Sequence, residues 1–259
     1  MSNSNNQIEI SIVIPCYNEQ ANLESGVLNQ VATYLESKDF SWEVIIVDDE
    51  STDDSLELCR QFSERHAGFN VIHVSHGGKP HAIYNGLIEA KGKFVLFIDM
   101  DQSTPIHEMD KLVGWFDKGY DGVIGSRGIQ RYGFSLIRRI TSWGFRTLRR
   151  SILLPEILDT QCGFKMLKTE VAKAIFPKLS FLKSEKGKTG WVVSAYDVEL
   201  LYLAKIYGYK IKEVEVEWLH ADKSVTKGDN RKRFLRESLE MGKEILNLMG
   251  RKLTGRYRR

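Results

Sequence analysis

Two carboxylates spaced i, i+2, Asp99 and Asp101, close the apolar run Phe94-Val95-Leu96-Phe97-Ile98. In an extended strand, residues i and i+2 project to the same side, so this spacing predicts two carboxylates leaving the carboxyl end of a strand together. Two hard oxygen ligands at one point suit Mg2+ or Mn2+ shared with the phosphates of a substrate. A lone D-x-D pair is a weak signal, because ordinary turns carry such pairs too. Here it has company. Val44-Ile45-Ile46-Val47 runs into Asp48-Asp49-Glu50-Ser51-Thr52-Asp53, and Ile10-Ser11-Ile12-Val13-Ile14 runs into Pro15-Cys16-Tyr17-Asn18-Glu19. Three apolar strands thus deliver polar residues to one sheet edge, the edge at which open α/β sheets bind ligands.

A second chemistry-bearing group is cationic. No acidic residue lies between Asp121 and Glu156, yet Arg127, Arg131, Arg138, Arg139, Arg146, Arg149 and Arg150 all fall there. The guanidinium fork matches phosphate oxygens bidentately. A phosphomonoester has its second pKa near about 6, so as a nucleophile it is already ionised at neutral pH and needs cationic clamps more than a strong base. Over 134–153, helical spacing gathers Arg138, Arg139, Arg146, Arg149 and Arg150 into one sector. Leu136, Ile137, Ile140, Trp143, Leu148 and Ile152 fall mostly in the other. That segregation predicts a helix lying in a membrane surface; the same pattern also describes an amphipathic helix packed on the protein's own core.

Pro15-Cys16-Tyr17-Asn18-Glu19, Val47-Asp48-Asp49-Glu50-Ser51-Thr52-Asp53, Gly78-Lys79 before Ala82, and Asp99-Met100-Asp101 resemble, in order and spacing, the inverting glycosyltransferase family 2 with the GT-A fold. Gly125-Ser126-Arg127, Asp159-Thr160-Gln161-Cys162-Gly163-Phe164-Lys165 and Tyr196-Asp197-Val198-Glu199-Leu200-Leu201 resemble its polyprenyl-phosphate branch, with glucosyl- and mannosyltransferases of dolichyl phosphate nearest. The likeness runs from about Ile8 to Thr226. It implies a nucleotide-sugar donor held by Pro15, Tyr17, Glu19, Asp48, Asp49 and Lys79. It implies Mg2+ or Mn2+ on Asp99 and Asp101, with Ser103 where mannosyl-type relatives carry a Gln ligand. Arg127, Arg138, Arg139 and Lys165 are the implied clamps on an acceptor phosphate, and Asp197 matches the carboxylate that acts as base in relatives with hydroxyl acceptors. Asp99, Asp101 and Asp197 form the catalytic set. His220, Lys223 and Ser224 fall where relatives close a loop over the donor phosphates, although the usual Gly-Ser-Lys is not reproduced by Asp222-Lys223-Ser224. Asp48, Asp49, Ser51 and Asp53 also qualify as caps of a helix starting near Asp53, and Asp197 as the cap of a helix over 197–207.

The expected activity is inverting transfer of a hexose, glucose from UDP-glucose first, to polyprenyl or dolichyl phosphate at the cytoplasmic membrane face. The same residues fit GDP-mannose as donor, or a polysaccharide or protein hydroxyl as acceptor with Asp197 as base. A non-catalytic nucleotide-sugar-binding subunit has no need of the complete D-x-D, Lys79 and arginine set.

Positioning these groups requires alternating strands and helices. The pattern predicts strands at 9–15, 42–48, 70–75, 93–99 and 121–125, with helices near 19–36, 53–66, 80–91 and 107–118. Such alternation gives an α/β, mostly parallel, Rossmann-like sheet flanked by helices. Further on, a strand-like turn at 160–167, helices at 169–176 and 196–207, and an edge strand over 210–218 are expected. The reading is one GT-A domain over 8–226, its nucleotide-sugar half about 8–125 and its acceptor half about 126–226. A basic amphipathic helix and tail follows over 227–259. There Phe234, Leu235, Leu239, Ile245, Leu248 and Met249 form an apolar stripe against mixed charges, which favours packing on protein or on a second copy of the chain.

At 259 residues, 42% hydrophobic, the chain can bury a full core. A net charge of +3 with no recognised binding module argues against nucleic acid as a partner. Three cysteines without paired metal spacing suit reduced thiols, with Cys16 and Cys162 small and buried. His73, His76, His81 and His107 show no ligand spacing and are expected in solvent. The polar stretch Met1 to Asn6 has no signal-peptide core, and no run of about 18 apolar residues occurs, so a cytoplasmic, peripherally membrane-bound protein is expected.

Overall fold

The computed structural model describes residues 8–128, 154–183, 196–219, 221, 223, 246–247 and 250–251. The arginine segment with Arg138, Arg139 and Trp143, most of 227–259, and His220, Asp222 and Ser224 lie outside these residues.

Seven strands form one sheet: β1 Ile10–Cys16, β2 Trp42–Asp48, β3 Phe69–His73, β4 Phe94–Phe97, β5 Gly122–Ser126, β6 Lys165–Lys168 and β7 Ile211–Glu215, in the order β3-β2-β1-β4-β6-β5-β7. All neighbours run parallel except β6, which is antiparallel to both β4 and β5. The described helices are α1 Gln20–Glu24, α2 Val27–Glu36, α3 Ser55–Arg65, α4 Lys79–Glu89, α5 Asp110–Val113, α6 Thr169–Ile175 and α7 Tyr196–Ile206.

Strands covered on both faces need near-continuous apolar sequence, and β1 and β2 have it apart from buried Ser11 and Glu43, where the Ser11 hydroxyl donates to Glu43 Oε1 at 2.6 Å. Ile10, Ile12, Ile14, Val44, Ile46, Phe94 and Leu96 pack one face against Leu28, Val31 and Leu35 of α2 and Cys59 and Phe62 of α3. Val13, Ile45, Val47, Val95 and Phe97 meet Ala82, Ile83 and Leu87 of α4, Val171 and Ile175 of α6, and Leu200 and Leu203 of α7. Each such aliphatic side chain, fully buried, contributes about 1.5–3 kcal/mol of transfer free energy. β1 lies between β2 and β4, so the connections leaving it diverge, and a crevice opens at the carboxyl ends of β1 and β4.

Local differences from the sequence expectation have physical causes. The expected helix over 19–36 is two helices, broken at Gly26, whose φ of 84° is left-handed. The helix near 107–118 is reduced to a 3-10 turn, Ile106–Met109, followed by the single turn α5. β4 stops at Phe97, so Asp99 and Asp101 are not on a strand. A turn carries them instead: the Gln102 N–H donates to the Asp99 carbonyl at 3.2 Å, and Gln102 adopts φ 49°. β7 is the edge strand expected, ending at Glu215.

Candidate active site

Three loops leave the carboxyl ends of β1, β2 and β4, and each contains one left-handed non-glycine residue, Asn18, Glu50 and Gln102 in turn. Strain of this kind costs about 1 kcal/mol or more per residue and persists where surrounding contacts over-determine it. Those contacts are present. Asn18 Oδ1 accepts from the Thr52 N–H at 2.8 Å, and the Asn18 N–H donates to Ser51 Oγ at 3.0 Å, tying the β1 loop to the β2 loop. Glu50 accepts from the His76 N–H at 2.8 Å. Gln102 donates its side-chain amide to the Asp99 carbonyl at 3.0 Å. Asp53 accepts from the N–H groups of Gln20 and Ser55, bridging the starts of α1 and α3.

Asp49 organises the loop ahead of α4. It is buried, and its two oxygens accept from the Gly77 N–H at 2.9 Å and the Gly78 N–H at 2.8 Å, while His76 Nδ1 lies 2.9 Å away. Gly78, with φ 82°, then turns the chain into α4, whose first residue is Lys79. A fixed anion thereby sets where the lysine emerges. Asp48 is also fully buried; one oxygen meets His73 Nδ1 at 2.7 Å and the Ser51 N–H at 3.3 Å. Its Oδ1 has no hydrogen-bond partner. Tyr17 is exposed at the rim and its ring lies 4.5 Å, centroid to centroid, from that of His76. Glu19 bonds the Asn22 amide, and the Lys223 N–H reaches Asn22 Oδ1 at 3.0 Å, so residue 223 returns to the β1 loop. The expectation of solvated histidines holds for exposed His73, His76 and His107, whereas His81 is half-buried. His73, His76 and His81 lie within 4 Å of Asp48 or Asp49, and His107 lies near Glu108 and Glu217, because each carboxylate turn recruits the nearest imidazole.

Lys79 is paired with Asp99 and also feels Asp197 and Asp101. Burial disfavours its charge, but the surrounding carboxylates outweigh that and raise its pKa. Asp99 behaves in mirror image: burial pushes its pKa up, and Lys79, Lys165 and Arg127 bring it below the ordinary value. The Lys79 and Asp99 side chains keep 41% and 36% of their surface, so solvent screens part of this attraction. Asp101 accepts from the Ser103 N–H at 2.8 Å. Ser103 itself is buried, and its carbonyl accepts from the Leu219 N–H at 2.7 Å.

Residues from later in the chain converge on the same point. Lys165, only 2% exposed, donates to Asp197 Oδ1 at 2.5 Å and to the Cys162 carbonyl. Arg127 clamps Asp159 bidentately, Nε to Oδ2 at 2.7 Å and Nη2 to Oδ1 at 2.9 Å. Asp159 in turn donates its N–H to Glu213 of β7 at 2.6 Å. Tyr196, buried beside Asp197, has its pKa raised well above the ordinary phenol value, by burial first and by Asp197 and Asp99 after it. Gly163 approaches the D-x-D turn so closely that a Cβ there would stand 2.1 Å from Asp99 Oδ2. Only a glycine leaves that carboxylate its place.

Chemically, the crevice offers an aromatic rim at Tyr17 and His76, a lysine at a helix N-terminus, two carboxylates on one turn, and two further cations behind them. Groups of these types can together hold an anionic ligand and a cation. Residues 11–176 match the family described as Glycosyl transferase family 2. The chain belongs to this family.

As a family 2 glycosyltransferase it is similar along nearly its whole length to curated relatives. The dolichyl-phosphate β-glucosyltransferase of Dictyostelium discoideum is 31% identical over 267 residues, covering 96% of this chain and 76% of that protein. The Homo sapiens protein of the same name is 29% identical over 272 residues, covering 96% and 78%. Among solved structures, mannosyl-3-phosphoglycerate synthase from Rubrobacter xylanophilus superposes with a TM-score of 0.66 at 16% identity, covering 97% of this chain and 76% of that one. Glucosyl-3-phosphoglycerate synthase from Mycobacterium tuberculosis, in complex with Mn2+, UDP-glucose and phosphoglyceric acid, gives 0.62 at 20% identity, covering 90% and 77%. The fold is GT-A.

In this glycosyltransferase the sequence-named residues fall into three groups. Lys79, Asp99, Asp101, Asp197, Lys165 and Arg127 act on one another electrostatically. Tyr17 stands on the rim, whereas Asp48, Asp49 and Glu19 are engaged by protein groups below it. Lys165 departs from its expected exposure to an acceptor phosphate, because burial leaves its ammonium facing Asp197 and a carbonyl. The parts played by His76 and Gly163 were missed; the signals available were Gly163's place inside the Asp159 to Lys165 segment and His76's place two residues before Gly78-Lys79.

Proposed function

We propose that this glycosyltransferase moves glucose from UDP-glucose, with inversion, onto the phosphate of a polyprenyl or dolichyl phosphate at the cytoplasmic face of a membrane. The acceptor class is carried by one observation: Asp197, the carboxylate placed for a general base, is ion-paired with buried Lys165. A nucleophile that arrives ionised has no proton to surrender, and a phosphomonoester is such a nucleophile. The sugar and the lipid follow from the relatives, which are dolichyl-phosphate β-glucosyltransferases.

In this reading the nucleoside lies against Tyr17 and His76, and the diphosphate meets Lys79 and the first turn of α4, where helix dipole and lysine charge act together. Asp99 and Asp101 would hold Mg2+ or Mn2+: they put two carboxylates, hard oxygen donors of the kind these ions take, on one turn. Bound there, the metal neutralises charge on the departing diphosphate. Ser103 is the third ligand the sequence assigns. Arg127, with Arg138 and Arg139 of the undescribed segment, draws in the acceptor phosphate, and Lys165 acts through Asp197. An acceptor phosphate oxygen forms the new bond to the anomeric carbon while the bond to the nucleotide's terminal phosphate oxygen breaks. Attack from the opposite face turns the α-linked donor into a β-linked lipid-phosphate sugar.

Asp197→Asn tests the acceptor class. With lipid phosphate as acceptor, the folded variant, checked by thermal melting, keeps substantial kcat. The acidic limb of the parent's acceptor kcat/KM then follows the phosphate near about pH 6 in both proteins. Transfer to an alcohol acceptor alone, abolished by the same substitution, would overturn the reading.

A further inference from the structure

The large apolar side chains left exposed among the described residues are Tyr17, Ile88, Trp218, Leu219 and Leu246. Scattered exposed apolar residues mean little, but two of these are consecutive. Trp218 is 37% and Leu219 47% exposed. They lie just past β7, which runs parallel to β5 with Ser126 opposite Glu215, so the chain there continues beyond the carboxyl edge of the sheet. Three backbone donors fasten it: Val216 N–H to the Ser126 carbonyl at 3.0 Å, Glu217 N–H to Glu108 Oε2 at 3.0 Å, and Leu219 N–H to the Ser103 carbonyl at 2.7 Å. The exposure is therefore built in, not the result of a loose end.

The neighbours of this pair say what it faces. On one side the Arg127 guanidinium lies 6.0 Å from the centre of the Trp218 ring. On the other, Leu219 is bonded to Ser103, two residues beyond Asp101. A cation, an aromatic face and an aliphatic side chain thus follow one another outward from the D-x-D turn on the side of β5 and β7, opposite the Tyr17 rim on the β1 and β2 loops. A guanidinium beside two exposed apolar side chains complements an anionic head joined to a branched hydrocarbon chain.

Resting on the lipid-phosphate reading above, we propose that Trp218 and Leu219 are the seat for the first isoprene units of the acceptor, next to its phosphate. The chain is recognised as hydrocarbon by these two residues, and selectivity for a polyisoprenyl over a simple phosphate resides there.

The test uses soluble acceptors without vesicles or detergent: citronellyl phosphate, with two isoprene units, and methyl phosphate, with none. In the parent, kcat/KM for citronellyl phosphate exceeds that for methyl phosphate. In the double variant Trp218→Ser, Leu219→Ser the KM for citronellyl phosphate rises about tenfold, the advantage over methyl phosphate shrinks correspondingly, and the KM for UDP-glucose is unchanged. Equal losses on both acceptors, no loss on citronellyl phosphate, or a defect seen only with polyprenyl phosphate in phosphatidylcholine vesicles would overturn the proposal, the last pointing to membrane anchoring instead. Quenching of tryptophan fluorescence by citronellyl phosphate separates this proposal from the reaction on which it rests. Saturable quenching lost in Trp218→Phe, in an enzyme that transfers to neither acceptor, supports the hydrocarbon seat and sinks the lipid-phosphate reading. Transfer without chain dependence does the reverse.

Discussion

Asp99 sits against Lys79, with Lys165 and Arg127 beyond it, and its charge state follows from that company. Its folded pKa is depressed, so its contribution to stability is present above the ordinary carboxylate value of about 3.9 and is lost as pH falls through the folded value. Lys79 is the opposite case: raised above about 10.4, its charge contributes below that value and is lost as pH rises through the folded pKa. The parent accordingly shows no acidic limb from Asp99 in donor kcat/KM near neutrality. Lys79→Met removes the main cation holding that carboxyl down while burial still pushes it up, so the variant's limb moves to higher pH and its donor KM rises; a pH–rate profile reads both. Asp101→Asn lowers turnover by about 10²-fold or more with the melting temperature little changed, since charge is lost without volume. Residues in this cluster were legible because their types and spacing are chemical necessities. Lys165 was legible as a participant but not as a buried one, since burial is set by β6 pairing with β4 and β5, a long-range event that no local pattern encodes.

The loop from His76 to Lys79 shows how an element can be held by one side chain. Asp49 satisfies two consecutive backbone donors, Gly77 and Gly78, and leaves Lys79 at the first turn of α4. Asp49→Asn presents an amide where both N–H groups need acceptors, and each unsatisfied buried donor costs about 1–3 kcal/mol. The expected outcome is a donor KM raised about tenfold with kcat nearly unaltered and a lowered melting temperature, measured by steady-state kinetics and calorimetry. Strands β1 and β2 were readable almost to the residue, because a strand buried on both faces must be near-continuously apolar. The turn at Asp99 was misread as strand for the same reason: Ile98 and Met100 continue the apolar run, and the bend is marked by the Gln102 N–H and side-chain amide bonds to the Asp99 carbonyl and by the left-handed Gln102. Likewise Leu23, Val27, Val31 and Tyr34 keep helical spacing across Gly26, so periodicity hides the break that its left-handed backbone makes.

Taken whole, the molecule is one sheet in which the loop after β4 and the start of α4 meet β6 and α7 at Lys79, Asp99, Asp197 and Lys165. Alternation of strand and helix made the first half predictable. The insertion of antiparallel β6 between β4 and β5 was not, because it pairs residues about 70 apart in sequence and the four-residue β6, Lys-Met-Leu-Lys, is too short to carry a strand period. Among the described residues no helix is long and apolar enough to cross a membrane. The central claim, glucose transfer to a lipid phosphate, is tested most directly by incubating the protein with UDP-[14C]glucose, polyprenyl phosphate and Mn2+ and counting label in the organic phase. The account predicts organic-extractable label that is released by mild acid, requires the lipid phosphate and is absent with Asp101→Asn. Label that stays in the aqueous phase on a hydroxyl acceptor, with none on polyprenyl phosphate, would contradict it.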